Sequence, residues 1–116
     1  MHNFRKLDVW HRSRDLAVSV DRVTRQFPRS DRGVIASQLR RAAIAIPANI
    51  AEGCGRTSRK DAIRFLQYAS SSAAEAESHL EVASGLRYVN TMQREMLVGE
   101  LTAIQRMLFR LMKNLP

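Results

Sequence analysis

The sequence predicts an all-α fold: an antiparallel, up-down four-helix bundle that self-associates, built as one domain over residues 1–116. Three observations carry this. Apolar residues recur in steps of three and four along most of the chain, the spacing of one helical face. No segment alternates apolar and polar residues as a half-buried strand does. The breaks between periodic stretches, around Pro28, Gly55–Ser58 and Gly85–Asn90, are short, which favours antiparallel neighbours.

The first helix spans 8–27, where Val9, Leu16, Val20, Val23 and Phe27 form a stripe widened by Trp10 and Ala17. Asp8 is placed to cap it and Pro28 to end it. Its outer face interleaves Arg12, Arg14, Arg22 and Arg25 with Asp15 and Asp21, the pattern of a solvated surface. The second helix is expected to begin at Ser30 as cap, with Asp31 in its first turn. It contains the densest apolar run, QLRRAAIAIPANIAEG from Gln38 to Gly53. Ile35, Leu39, Ala42, Ile46 and Ile50 make one stripe and Ala36, Ala43 and Ala51 a second, so the helix needs neighbours on more than one side. Pro47 removes one backbone bond and crowds the carbonyl of residue 43, which predicts a kink, since the apolar pattern continues beyond it. Asn49 and Glu52 lie near enough to serve the disturbed backbone, and Gly53 and Gly55 are read as the stop.

Ser58, with Asp61 three residues on, approximates a capping box for the third helix. There Ala62, Leu66, Ala69, Ala73, Ala76, Leu80 and Ala83 hold heptad spacing, and five alanines among seven positions demand a closely approaching neighbour. Ser70, Ser71 and Ser72 are small enough to share that contact. Asn90 or Thr91 opens the last helix, where Leu97, Leu101, Ile104, Leu108 and Leu111 form the stripe and Met96, Met107, Phe109 and Met112 broaden it. The apolar surplus on the second and fourth helices argues for association with further copies of the chain.

A length of 116 residues supports a core without covalent staples. The single cysteine, Cys54, excludes an internal disulfide and suits a reducing cytoplasm. MHNFRKLDVW lacks the apolar core of a signal peptide, and the longest uncharged run, Ala42 to Ala51, is too short to span a bilayer. A cytoplasmic protein without a membrane partner is the expectation. Nineteen Lys and Arg against eleven Asp and Glu give a net charge of +8, and the pI is near 11.0. The excess falls in the first half, not in a tail. Charge of this sign attracts polyanions, and arginine adds a planar fork that matches phosphate.

Catalytic and metal chemistry find little support. His2, His11 and His79 are scattered and pair with no Cys, Asp or Glu at ligand spacing. Glu77 and Glu81 share a helical face with Glu75 nearby, but no Glu-x-x-His element completes a di-iron bundle. Cys54 stands beside glycines and near Arg56, a cation expected to lower its pKa, but has no base at hand. Gly53 and Gly55 lack the Lys-Ser/Thr and the strand of a phosphate loop. No cofactor, metal or catalytic residue is predicted, and the chain is read as non-enzymatic.

The binding feature is instead the cation cluster at the start of the third helix: Arg56, Arg59, Lys60 and Arg64. Cations there oppose the positive end of the helix dipole unless an anion is close, and free amides with basic side chains suit phosphate. The competing reading is that solvent screens them, or that Glu52 or a neighbouring subunit's carboxylate pairs with them. Arg40 and Arg41 lie about 100° apart around the second helix, so one of them should meet a packed face and a partner such as Glu52, Glu75 or Asp61. Only Phe4, Trp10 and His11 fall near basic residues in sequence, so binding through phosphates is favoured over base stacking.

QLRRAAIAIPANIAEG resembles the hallmark of the four-helix bundle family first named for a protein encoded within intervening sequences of 23S ribosomal RNA. FRKLDVWHRSRDLA and QFPRSDRG resemble its opening helix and first turn, and RFLQYASSSAAEAESHL its third helix. The usual Ser before Ile-Pro is Ala45 here, and a Gly common in the middle of the third helix is Ser71. The resemblance implies a ring-like homopentamer. It also implies a relation to the accessory variability determinant of diversity-generating retroelements, a basic pentamer that binds nucleic acid and works with a reverse transcriptase.

Two function classes follow. In the first, a homo-oligomeric bundle binds RNA or DNA through phosphates held by Arg40, Arg41, Arg56, Arg59, Lys60 and Arg64, with Arg12 and Arg14 behind them. In the second, the bundle is a structural module docking to a protein partner such as a polymerase, and its charge is incidental. Pro47, Asn49, Glu52 and Gly53 are assigned to structure in both.

Overall fold

The computed structural model describes residues 3–31 and 33–116. Four α-helices account for most of them: α1 (Asp8–Thr24), α2 (Val34–Cys54), α3 (Arg59–Gly85) and α4 (Thr91–Lys113). Single 3₁₀ turns at Phe4–Lys6 and Arg29–Asp31 precede α1 and α2. Among the described residues there is no strand, and the helices pack as an elongated bundle measuring 47 × 23 × 20 Å. Neighbours in the bundle follow the cycle α1–α2–α3–α4 and back to α1, with α2 against α3 the most extensive pairing. His2, one of the three histidines considered above, lies outside the described residues.

The core follows the stripes read from the sequence. Val9, Leu16 and Val20 from α1, Leu39, Ala42, Ile46 and Ile50 from α2, and Leu97, Leu101, Ile104 and Leu108 from α4 are all buried. On α3 all seven heptad positions, Ala62 to Ala83, are buried. The alanines let α2 and α4 approach; a larger face would hold them apart. Met107, Leu111 and Met112 pack on this core as partly buried side chains. Met96 and Phe109 face solvent instead, so the broadened stripe on α4 is narrower than its composition suggests.

The termini depart from expectation in instructive ways. Asp8 is the first residue of α1 and does not cap it; Leu7 takes that position without a side-chain bond. Ser30 does not cap α2. Its residue enters a 3₁₀ turn, and buried Asp31 reaches past the turn to accept from the amides of Ile35 (3.0 Å) and Ala36 (3.1 Å). Gly33 is then the N-cap residue, with φ +77°, a left-handed conformation that glycine adopts at least cost. At α3 the Ser58 hydroxyl accepts from the Asp61 amide at 3.1 Å, as the capping pattern predicts. At α4 Asn90 and Gln93 form a reciprocal capping box. Two buried hydroxyls satisfy themselves on preceding carbonyls, Ser13 on Trp10 and Thr24 on Val20, in the manner open to short side chains in helices.

Pro47 is buried and α2 runs through it unbroken. Asn49 donates its side-chain amide to the Ala45 carbonyl at 2.9 Å, steadying the turn around the proline. Glu52 takes no part there: it is exposed and pairs with Arg56. Gly53 is not a stop signal. It sits inside α2, buried, where a Cβ would lie 3.2 Å from the Ala62 carbonyl oxygen and 3.3 Å from the Phe65 Cβ. Its hydrogen is what allows α3 to cross α2 this closely.

Candidate nucleic-acid interface

The turn Gly55–Ser58 folds α3 back onto the end of α2 and gathers the four clustered cations. Arg56 donates from Nη2 to Glu52 Oε1 at 2.9 Å, and its guanidinium lies 4.5 Å from the centre of the Phe65 ring. Arg64, one residue before Phe65, lies 5.1 Å from the same ring, with Nη2 at 3.6 Å from Asp61 Oδ1. Arg59 donates from Nε to the Leu115 carbonyl at 3.5 Å, fastening the start of α3 to the C-terminal segment. Arg59, Lys60 and Arg64 line an open groove of about 810 Å³ with Asp61, Ile63 and Gln67.

One cluster therefore contains four cations and two carboxylates, Glu52 and Asp61. Each carboxylate is held by one arginine at helical spacing. Pairing with Glu52, raised by the sequence as the competing reading, does occur at Arg56. It leaves Lys60 and Arg59 without a carboxylate within 4.0 Å among the described residues. The aromatic component corrects the sequence reading, which found no ring near these cations. Phe65 is gripped by Arg56 and Arg64, and the Tyr68 ring lies 5.5 Å from it between centres with the planes at 85°. Cation–π contact of this kind holds guanidinium groups in place at an exposed site for about 0.5–1 kcal/mol each.

The other candidates lie elsewhere. Arg40 donates from Nε to the Thr24 hydroxyl at 2.7 Å and lies 3.7 Å from Asp21, so its partners are on α1 and not Glu52, Glu75 or Asp61. It lines a pocket between α1 and α2 with Arg25, Arg29 and Asp31. Arg41 is exposed. Both are some fifteen residues along α2 from Arg56, about 23 Å at 1.5 Å per residue. Arg12 bridges α1 to α4 through Glu100 at 2.7 Å, a bond that raises the arginine pKa further. Arg14 pairs with Asp15 at 3.1 Å and lies 5.5 Å from the Trp10 ring. The eight predicted residues thus divide between one cluster at the α2–α3 turn and two outlying pairs.

The structure shows a second basic stretch beyond those predicted from the sequence. On α4, Arg106, Phe109 and Arg110 line a shallow groove with Thr102 and Gln105, and Lys113 lies 5.5 Å from the Phe109 ring. Its signal in the sequence is an i, i+3, i+4 spacing of Arg and Phe, in which Phe109 also falls beside the apolar stripe of the helix.

The two described histidines have local partners. The ring Nε2 of His11 bonds the Arg5 carbonyl at 2.6 Å, and His79 lies 3.4 Å from Glu75. Among the described residues no group of three His, Cys, Asp or Glu is placed to hold a metal ion. Burial pushes the Cys54 thiol above its ordinary pKa, opposite to the lowering expected from Arg56 nearby. No helix among the described residues is long and apolar enough to cross a membrane.

No curated protein matches the chain. A crystal structure of a protein of unknown function from the S23 ribosomal protein family of Bacteroides thetaiotaomicron is similar to it, with 29% sequence identity and a TM-score of 0.83. The match covers 91% of this chain and 99% of that one. The family model described as 23S rRNA-intervening sequence protein matches residues 5–110, from the turn before α1 to the last turns of α4. Since that match takes in all four helices and the cation cluster between α2 and α3, the chain belongs to the 23S rRNA-intervening sequence protein family.

Proposed function

We propose that this chain is a non-enzymatic bundle with consecutive helices antiparallel, that it assembles into a homo-oligomer, and that it binds RNA or DNA through phosphates. The observation that carries the reading is the cluster of Arg56, Arg59, Lys60 and Arg64 at one end of the α2–α3 pair, on a chain of net charge +8. Two of its arginines are held on Phe65, so less side-chain entropy is lost when a phosphate binds. The antiparallel arrangement is supported by the short α2–α3 and α3–α4 connections. Exposed Val34 and Ile44 on α2 and Met92, Met96 and Phe109 on α4 favour burial against further copies. The pentamer is the stoichiometry that the family resemblance implies. A cytoplasmic location fits a single cysteine kept as a thiol.

The test is binding of nucleic-acid-free protein to structured RNA, duplex DNA and single strands over a salt series. Several phosphate contacts give a steep negative dependence of affinity on salt. The double charge reversal Arg59→Glu, Lys60→Glu should remove binding and leave the oligomer intact. Unchanged binding would move the function to the second reading, a module that docks to a protein such as a polymerase. Exposed Ile44, beside Arg41 and Ala48 on the outer face of α2, is the feature that favours that reading.

A further inference from the structure

Holding two guanidinium groups accounts for Phe65 but not for the exposed ring of Tyr68 beside it, whose position calls for a role of its own. Phe65 is half-buried, with its Cβ against Gly53, and is fixed there by the helix crossing. Tyr68 packs against it with the ring planes nearly perpendicular and is 47% exposed, an unusual outlay of aromatic surface for a helix whose core face is otherwise alanine and leucine. Lys60, Arg64 and Tyr68 follow one another at intervals of four, so they occupy a single face of α3 over about 12 Å. Two cations and then a ring, in line, match successive features of one polynucleotide strand: phosphates along the cationic part, a base against the ring.

The charge balance points the same way. With Glu52 and Asp61 taking up Arg56 and Arg64 in part, the cluster offers a small net positive charge. Duplex binding rests on the backbone phosphates and shape of an intact helix and leaves no unstacked base for a ring. Single-stranded sites combine a modest cationic track with base–aromatic stacking, which tolerates any sequence because every base has a π-face.

We infer that the α2–α3 end is a site for single-stranded nucleic acid, in which an unpaired base stacks on Tyr68 while Arg59, Lys60 and Arg64 hold the flanking phosphates. The inference rests on the phosphate-contact reading above and adds the ligand's strandedness and the residue that reads it. Phe65 serves as a positioning residue: it supports the Tyr68 ring and holds the two guanidinium groups beside it.

An abasic strand separates stacking from phosphate contact. Binding is measured at about 0.15 M ionic strength with a labelled single strand of about 12 nucleotides, with an abasic strand of the same length, and with a duplex. Wild type, Tyr68→Ala, Tyr68→Phe and Phe109→Ala are compared, each checked for helix content by circular dichroism. Tyr68 is exposed on a helix, and its removal should leave the fold intact. The expected result is that wild type binds the based strand more tightly than the abasic strand or the duplex. Tyr68→Ala should lose roughly tenfold on the based strand, within the range that stacking of one base supplies, and nothing on the abasic one. Tyr68→Phe, which keeps the ring, should bind as wild type does. Equal affinity for based and abasic strands, or a Tyr68→Ala variant indistinguishable from wild type, overturns the stacking site and leaves phosphate contact standing. Loss of based-strand binding on Phe109→Ala alone moves the site to α4 and overturns it too. Absence of binding to all three ligands refutes both readings together.

Discussion

Arg87 carries backbone strain that its side chain does nothing to relieve. It has φ +64° at the exit of α3, where the Tyr88 amide bonds the Ala83 carbonyl at 2.9 Å and the Arg87 amide bonds that of Ser84 at 3.0 Å. These are the paired bonds of a Schellman motif, whose left-handed position favours glycine. The glycine present, Gly85, lies two residues too early and is the last residue of the helix. Arg87→Gly should therefore raise stability by about 1 kcal/mol, read as a higher midpoint in urea. Gly53 presents the reverse case. Gly53→Val must displace the Ala62 carbonyl or the Phe65 side chain, and should cost about 1–3 kcal/mol, although valine is the better helix former. The Arg94–Glu81 pair sets a pH dependence. Two hydrogen bonds, at 2.6 and 2.8 Å, hold the Glu81 pKa below the ordinary carboxylate range. Because its folded pKa is depressed, the pair contributes above the unfolded pKa, and the contribution fades as pH falls through the carboxylate range. Glu81→Gln should flatten that part of the Tm-against-pH curve by a small amount, since both groups are exposed.

Helices α2 and α3 show how caps and small residues set an element's ends and its neighbours. Asp31 replaces the expected Ser30 because the 3₁₀ turn moves the start of α2 to Val34, out of a serine's reach but within that of a carboxylate accepting two amides. Asp31→Ala should cost about 1 kcal/mol, seen as a drop in Tm, whereas Ser30→Ala should be silent. The alanine seam of α3 belongs to the bundle's own core: Ala69, Ala73 and Ala83 have no exposed surface. Ala73→Leu is accordingly a stability variant. It should cost about 1–3 kcal/mol by overpacking, whatever the oligomeric state, and a Tm unchanged from wild type would show that the seam yields.

For the molecule as a whole, the distribution of charge matters more than its sum. Of the cations predicted to form one surface, Arg12 and Arg40 are committed to joining helices, Arg12 through Glu100 to α4 and Arg40 through Thr24 to α1. Substituting them should lower Tm with little change in polyanion affinity. Arg59→Glu with Lys60→Glu should do the opposite, and the pairing of the two experiments separates architecture from binding. This division was not legible in the sequence. The heptads of α3 and α4 predict which side chains are buried because periodicity is a local property. The partner of a long, exposed arginine is not, since it depends on which helices become neighbours.

The sequence alone determined the all-α class, four helices, nearly all of the core and the cap at Ser58, and it narrowed the start of α4 to Asn90 or Thr91. Each of these follows from spacing or turn chemistry within a few residues. Tertiary structure decided the rest. It turned Gly53 from a stop into a crossing point and gave Arg40 and Arg12 to other helices. It also folded Arg56 back onto Phe65, nine residues on, joining that cation to the Phe65–Tyr68 pair of α3. Contacts across the α2–α3 turn depend on how closely two helices approach, and that distance is set by the alanines and the one glycine between them.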